Sequence, residues 1–190
     1  MVATLVLGSI LLLGVLLFFI PRWKSRYLRN KPFPQHWQSL LRTNLPIYTA
    51  LSAADKDKLH QLINLFIATK RFVGCGGLEI TDQMRVTIAA EACLLLLHQD
   101  WSVYPKLYSV LVYPSGFIVK RDQHREDGTV AMHKDHLAGE SWSNGKVILS
   151  WDDVVAGVSD FSDGHNVVLH EFAHQLDTAS GAANGAPPLR

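Results

Sequence analysis

The sequence predicts an α+β domain preceded by one apolar helix that is long enough to cross a membrane. Three observations predict this. An apolar run opens the chain, two segments with helical periodicity follow, and segments rich in β-branched and aromatic residues precede a last helical segment. Of the 190 residues, 48% are hydrophobic and 18% are charged, a composition that is typical of a folded domain rather than a disordered chain.

The first element is the apolar run over residues 2–20. As a helix it would be about 28 Å long, close to the thickness of a bilayer core. A secretory signal peptide is the alternative, but it would need basic residues before the run and a small-residue cleavage site after it. No Lys or Arg precedes Ile20, and no such site follows it. We therefore expect a membrane anchor at residues 1–21 that contacts the bilayer through residues 2–20.

Basic residues just after the anchor predict its orientation. The cluster consists of Arg22, Lys24, Arg26, Arg29 and Lys31, and no basic residue precedes the span. Because positive charge is retained on the cytoplasmic side, we expect a single-pass inner-membrane protein with its N-terminus outside and its domain in the cytoplasm. The same cluster could bind anionic headgroups. We assign residues 22–34 to a basic juxtamembrane linker that ends in a stiff, proline-containing stretch.

The rest of the chain is acidic. After Lys31 it carries 13 Lys and Arg against 17 Asp and Glu. A domain of this sign is poorly suited to a phosphate backbone, so nucleic acid is not expected as a direct partner. The two cysteines, Cys75 and Cys93, do not form a close metal-binding pair or a disulfide framework. Cys93 lies in an apolar helical run and is expected in the core.

Two helices are predicted in the first half of the domain. Residues 52–69 have apolar residues at helical spacing, and Ser52 is a suitable N-cap. Residues 81–97 are apolar nearly all round, which predicts a central helix. Glu91 lies in this helix. A place at the edge of the core is expected for it, although it could also supply a carboxylate to a metal.

Strands are predicted next. Residues 107–113 and 117–119 flank a Pro-Ser-Gly turn, which indicates a hairpin. Residues 123–136 are polar and predict an exposed loop, and residues 146–151 predict a short strand. A last helix is expected from about Gly164 to Asp177, with Asp160, Ser162 and Asp163 as equally acceptable caps.

The last helix carries the residues that indicate chemistry. His170 and His174 are four residues apart, which places both imidazoles on one helix face where they can bind one Zn²⁺. Glu171 follows the first histidine and can act as general base on a water that zinc has made more acidic. This pattern is typical of peptidases that use Zn²⁺ as their cofactor. The apolar residues around it predict that the helix packs into a core.

Other residues near this motif are weaker candidates. Asp177 could accept a hydrogen bond from a ligand histidine, or it could belong to the end of the helix. His165 is expected to face away from the metal, and His133 and His136 are expected in solvent. The alternative is a surface helix in which these His and Glu residues are incidental and bind no metal. A purely structural zinc site is disfavoured, because such sites usually have four Cys or His ligands.

Several motifs together resemble the MtfA peptidases, which are glucose-regulated metallopeptidases. The resemblance is carried by residues 166–177 around the two histidines and by residues 112–117, 139–142 and 147–151, with the central helix at residues 88–95. It covers roughly residues 36–190, and the motifs agree in order and spacing.

The resemblance implies a gluzincin-like fold in which a glutamate on a later helix is the third metal ligand. It implies aminopeptidase-type activity on a peptide or protein substrate and, in enteric members, an interaction with the glucose repressor Mlc. It also implies that the predicted strand 146–151, with Val147 and Leu149, is the edge along which a substrate backbone aligns.

The chain departs from the enteric members in two ways. It has the predicted anchor, and it ends at Arg190, before the helix that would carry the third ligand. We therefore assign residues 35–190 to a peptidase domain that is truncated at its C-terminus, and we expect the third ligand beyond Arg190. A chain with only two ligands is expected to bind zinc weakly and to show little or no peptidase activity.

Two functions remain open from the sequence. The first is a zinc-dependent peptidase at the cytoplasmic membrane face. The second is a non-catalytic, membrane-tethered module that binds a transcriptional regulator of the Mlc type. Glu171 favours the peptidase, because a module that only binds a partner does not need a carboxylate beside a metal site.

Overall fold

The structure is a computed structural model that describes residues 19–99, 102–124, 130–137, 139–142, 145–161 and 164–180. The predicted span at residues 2–20 lies almost wholly outside this part of the chain, and so do Ser162, Asp163 and the residues after Ser180. No helix within the described ranges combines the length and the apolar character that crossing a bilayer requires.

Helices and strands alternate in a mixture that fits the predicted α+β class. The helices are α1 (residues 19–29), α2 (Gln35–Asn44), α3 (Pro46–Ala50), α4 (Ala53–Thr69), α5 (Asp82–Leu94), α6 (Trp151–Ser159) and α7 (Val167–Ser180). The strands are β1 (Arg71–Gly74), β2 (Ser109–Tyr113), β3 (Phe117–His124), β4 (Val130–Leu137), β5 (Gly139–Trp142) and β6 (Lys146–Ser150).

The main sheet has four strands in the order β1-β2-β6-β5. Strands β1, β2 and β6 are parallel, and Phe72, Val110 and Val147 lie side by side in their register. Strand β5 pairs with β6 in the antiparallel direction. Val110, Val112, Val147 and Leu149 are all buried, so one face of the sheet belongs to the core.

The predicted hairpin between residues 107–113 and 117–119 is wrong. Strand β2 lies between β1 and β6, which use both of its edges. Strand β3 instead pairs with β4 in a separate two-stranded antiparallel sheet. The predicted loop at residues 123–136 is therefore also corrected, since most of it is strand. A hairpin satisfies its backbone hydrogen bonds between adjacent segments, whatever the polarity of its side chains.

The predicted substrate edge is wrong as well. Strand β6, with Val147 and Leu149, is an inner strand with β2 on one side and β5 on the other. Both side chains have 0% exposure. Since its backbone groups are already paired with two neighbours, β6 offers no free edge to a substrate. Strand β5 is the outer strand of this sheet on that side.

Helix α5 lies at the centre of the domain and packs against α2, α4 and α7. Every residue from Val86 to Cys93 is buried, which confirms the predicted central helix and the core position of Cys93. Thr81 caps the helix by accepting a hydrogen bond from the Met84 N–H. The helix ends at Leu94, three residues earlier than predicted, because a series of turns follows.

Helix α4 confirms the other helical prediction. Ser52 Oγ accepts a hydrogen bond from the Asp55 N–H at 3.1 Å, so Ser52 is the N-cap that the sequence indicated. The segment before α2 is attached to this helix. Asn64 Nδ2 donates to the Lys31 carbonyl oxygen at 2.8 Å, and the Phe33 ring stacks on His60 at 3.9 Å. Part of the predicted juxtamembrane linker is therefore helix α1, and its last residues are fixed to the domain.

An aromatic cluster joins the central layers of the fold. The Phe66 ring of α4 lies 6.0 Å from Phe72, 6.1 Å from Tyr104 and 5.7 Å from Phe172 of α7. Tyr104 also donates its hydroxyl to the Ala92 carbonyl oxygen of α5 at 2.6 Å. Phe66 has 0% exposure, so its side chain is the common contact of α4, β1 and α7.

We expect Phe66→Ala to lower the free energy of unfolding by about 3–5 kcal/mol, because the truncation leaves a cavity between three aromatic rings. Urea denaturation followed by tryptophan fluorescence measures this change. The matched control is Val155→Ala on the exposed side of α6, which we expect to change the free energy by less than about 0.5 kcal/mol. Equal effects of the two substitutions would contradict this account of the core.

Candidate metal centre

Helix α7 brings the two predicted ligand histidines together. The Nε2 atoms of His170 and His174 are 3.2 Å apart. Their ring centroids are 4.6 Å apart, and the ring planes are perpendicular. Both side chains are exposed, on the side of the helix opposite to the buried Val168, Phe172 and Leu176. The pair is therefore open to a ligand from outside the core.

The separation of these nitrogen atoms suits zinc. Two imidazole nitrogens at the usual Zn–N distance of about 2.0–2.1 Å in a tetrahedral site lie about 3.3 Å from each other. The observed 3.2 Å agrees with that value. The donor set is also the right one, since neutral imidazole nitrogen is a common zinc ligand. His170 and His174 are thus the residues that would hold the ion.

The described residues supply only this pair. Within the described ranges, no three side chains of His, Cys, Asp or Glu lie close enough together to hold a metal ion. Glu91, which the sequence left open as a carboxylate ligand, accordingly does not form such a group with the histidines. The third ligand expected beyond Arg190 stays a prediction.

Glu171 and Asp177 are the two buried acidic side chains of α7. Glu171 has 6% exposure and Asp177 has 4%. Because consecutive residues on a helix are separated by about 100°, Glu171 is directed away from the centre of the exposed histidine face but adjoins it. This position borders both the core and the metal pair. The hydrogen bond that Asp177 could accept from a ligand histidine stays a prediction.

Asn166 caps the helix that carries the histidines, and the sequence interpretation missed it. Its Oδ1 accepts a hydrogen bond from the Leu169 N–H at 2.8 Å. Its Nδ2 donates to the Gly157 carbonyl oxygen of α6 at 3.1 Å and to the Glu91 carboxylate of α5. An asparagine directly before an apolar helical run is an N-cap signal, which could have identified it. The predicted choice among three earlier residues is therefore corrected.

Glu91 is fully buried, at 0% exposure, rather than placed at the edge of the core. Burial raises the pKa of its carboxyl group to about 8, and the hydrogen bond from Asn166 opposes that rise. Its Oε1 has no hydrogen-bond partner within the described part of the chain. Near neutral pH the group is therefore mainly protonated and uncharged.

The other end of α7 is held by a lysine. Lys106 Nζ donates to the Thr178 carbonyl oxygen at 3.2 Å, where a positive charge interacts favourably with the helix dipole. Lys70 Nζ in turn donates to the carbonyl oxygens of Tyr104 and Leu107, which flank Lys106. Burial lowers the pKa of Lys70 to about 8. The loop that carries Lys106 is thus itself fixed to the core.

The remaining histidine candidates are His165, His133 and His136. His165 is exposed and lies just before α7, and its expected position away from the metal stays a prediction. His133 and His136 belong to β4, and their side chains lie outside what the structure describes. Helix α7 also packs against β5 and β6, so it lies beside the outer strand of the main sheet.

Comparison with known proteins identifies the family. The family described as Glucose-regulated metallo-peptidase M90 matches residues 20–190. The chain belongs to this family. The resemblance to the MtfA peptidases is confirmed, and the family implies a metal cofactor for its members.

Individual relatives agree with this assignment. The chain is 44% identical over 169 residues to slr2042 of Synechocystis sp., covering 88% of this chain and 61% of the relative. It is 35% identical over 157 residues to Mlc titration factor A of Klebsiella pneumoniae, covering 81% and 58%. It is 32% identical over 171 residues to Mlc titration factor A of Yersinia pestis, covering 88% and 60%. The chain thus spans about 60% of the length of these relatives.

We expect the free energy of unfolding of Glu91→Gln to rise relative to that of the wild type as the pH rises. The folded protein holds the Glu91 proton up to about pH 8, whereas an unfolded chain releases it near 4.5. Between these values the wild type loses stability with rising pH, by up to about 1.4 kcal/mol per pH unit, and glutamine does not titrate. Urea denaturation of both proteins at several pH values across this window measures the difference. A difference that is independent of pH would contradict the buried, protonated carboxyl group.

Proposed function

We propose that the protein is a zinc-dependent peptidase of the aminopeptidase type, in which His170 and His174 bind the metal and Glu171 is the general base. The observation that carries this proposal is the 3.2 Å separation of the two histidine Nε2 atoms on one exposed helix face. Membership of a metallopeptidase family supports the same chemistry. The third ligand would come from a part of the protein beyond Arg190.

Each residue of the motif has a distinct role in this proposal. A zinc ion, when bound, polarises the substrate carbonyl group and makes a water molecule acidic near neutral pH. His170 and His174 would hold the ion. Glu171 accepts a proton from the attacking water at its carboxylate and passes that proton to the leaving amine. Its position at the border of the core favours a carboxylate that is held still and partly shielded from water.

An extended peptide is the substrate that the surrounding fold favours. Strand β5 is the outer strand of the main sheet and packs beside α7. An outer strand has backbone N–H and C=O groups with which an extended chain can pair. This role, which the resemblance suggested for β6, is therefore proposed for β5.

A binding function is the second candidate. Relatives that are 32–35% identical to this chain are named Mlc titration factor A. That name favours an interaction of this protein with a transcriptional regulator of the Mlc type. Regulator binding could accompany peptidase activity, or it could be the only function of a non-catalytic module.

We also propose that the protein is anchored in the inner membrane through residues 2–20, with its domain in the cytoplasm. Helix α1 supports this proposal. Its exposed side chains include Phe19, Ile20, Trp23 and Tyr27, a mixture that is typical of a membrane interface. No acidic residue occurs before Asp55, so the basic cluster has no nearby carboxylate in sequence to neutralise it.

Glu171→Gln in the full-length protein tests the peptidase. We expect peptide turnover to fall by about 10²–10⁴-fold because the general base is lost. Bound zinc should stay unchanged, because glutamate is not a ligand. His170→Ala should lose both the zinc and the turnover. Turnover is measured as hydrolysis of a fluorogenic aminopeptidase substrate, and zinc content is measured by atomic emission.

His98→Ala, which removes an exposed histidine away from α7, is the matched control and should change neither quantity. If Glu171→Gln keeps full turnover, the peptidase mechanism is lost. If the wild type has no turnover while both it and Glu171→Gln bind an Mlc-type regulator equally well, the binding module is the better description.

Fractionation of cells that produce the protein tests the anchor. We expect the full chain to stay in the membrane pellet after washing with high salt or alkaline carbonate, since about 20 apolar residues bind a bilayer in effect irreversibly. A variant without residues 2–18 keeps the basic cluster and should be released by high salt. Release of the full chain by carbonate would argue against a spanning anchor.

A further inference from the structure

We propose that Glu91 is a positioning residue for the metal helix. Through its hydrogen bond with Asn166, it fixes the first turn of α7 and thereby the direction in which His170 faces. The link to metal binding rests on the proposed function, but the effect on the helix does not.

The first support is that both the nitrogen and the oxygen of the Asn166 side-chain amide form hydrogen bonds. Its Nδ2 donates two hydrogen bonds, to the carboxylate of Glu91 and to the carbonyl oxygen of Gly157, and its Oδ1 accepts one from Leu169. These partners belong to α5, α6 and α7. One side chain therefore joins three helices at the N-terminal end of the histidine helix.

The second support is the close packing around Asn166. A methyl group at Gly157 would lie 3.0 Å from Asn166 Cα and 3.2 Å from the His165 carbonyl oxygen. Helix α6 thus contacts the backbone that leads into α7, with no room for a side chain between them. The Asn166 side chain can form hydrogen bonds to α5 and α6 at the same time only if this close packing of α6 is kept.

The third support is the cost of the carboxyl group itself. Glu91 is fully buried, and its Oε1 has no hydrogen-bond partner in the described structure. An apolar side chain on this central helix would avoid that desolvation cost. It would, however, leave one N–H of Asn166 without an acceptor, and an unpaired buried donor also costs free energy. The role of the buried Glu91 carboxyl group is therefore to accept the hydrogen bond from Asn166.

Asn166 is one helical turn before the first metal ligand. The His170 N–H donates to the Asn166 carbonyl oxygen at 3.0 Å, so the residue also takes part in the backbone hydrogen bonds of this turn. The first turn of a helix frays unless its free N–H groups are capped. A shift of this turn would move His170 relative to His174 and change the spacing of their Nε2 atoms.

The test compares Glu91→Leu and Glu91→Gln in the full-length protein. The matched control is Asn64→Leu, which also removes a buried polar side chain, but from α4 and away from α7. Hydrogen exchange of the α7 amides is measured without metal, and zinc affinity is measured by competition with a chelator. The visible spectrum of the Co²⁺-loaded protein reports the ligand geometry.

We expect Glu91→Leu to speed exchange at the Leu169 and His170 amides about fivefold or more, as loss of a helix cap does. Zinc affinity should fall by about tenfold, the lower end of what groups that orient a metal ligand contribute. Glu91→Gln should restore both, because its Oε1 accepts the same hydrogen bond. Asn64→Leu should leave the α7 amides and the zinc affinity unchanged, whatever it does to overall stability.

Wild-type exchange and affinity in Glu91→Leu would overturn the proposal, and so would equal losses in Asn64→Leu. If Glu91→Leu does not fold, Asn166→Asp replaces it, since aspartate keeps the acceptor for Leu169 but loses both donors. An unchanged zinc affinity in that variant would then overturn the proposal. If the wild type binds no metal, the proposed function is wrong. Faster hydrogen exchange of the α7 amides in Glu91→Leu would still support the effect of Glu91 on the helix, and unchanged exchange would contradict it.

Discussion

The packing of α7 against the aromatic rings of the core is the contact on which the site depends. Phe172 of α7 lies against Tyr104, with the ring centroids 4.9 Å apart, and against Phe66 of α4. Because the buried face of the helix is held by these rings, the opposite face is held as well, and it carries His170 and His174. The direction in which both histidines face is thus set by a helix that cannot rotate without opening the core.

Both ends of this helix are held by polar groups rather than by apolar contacts alone. Asn166 and Glu91 act at the N-terminal end, and Lys106 acts at the C-terminal end. Burial raises the pKa of Glu91 and lowers that of Lys70, which holds the segment that carries Lys106, each to about 8. Desolvation disfavours the charged form in both cases, so an acid and a base shift in opposite directions.

The sheet contributes to the site through its outer strand. Strand β6 is enclosed between β2 and β5, and this leaves β5 beside α7 as the outer strand. The first part of the domain has a different role. The contacts of Lys31 and Phe33 with α4 attach α1 to the domain, so the exposed aromatic and basic residues of α1 are held at a fixed place on it.

The sequence by itself determined helices α4, α5 and α7 and the metal motif. The cap at Ser52, the burial of α5 and the shared face of His170 and His174 follow from residues within about four positions of one another, which is the range of helical contacts. The tertiary structure alone decided that β2 pairs with β1 and β6, that β6 is an inner strand and that Glu91 meets Asn166. These pairs join residues far apart in the chain, with 75 positions between Glu91 and Asn166. Local periodicity contains no information about such partners, because they are chosen by which surfaces remain to be covered when the helices pack.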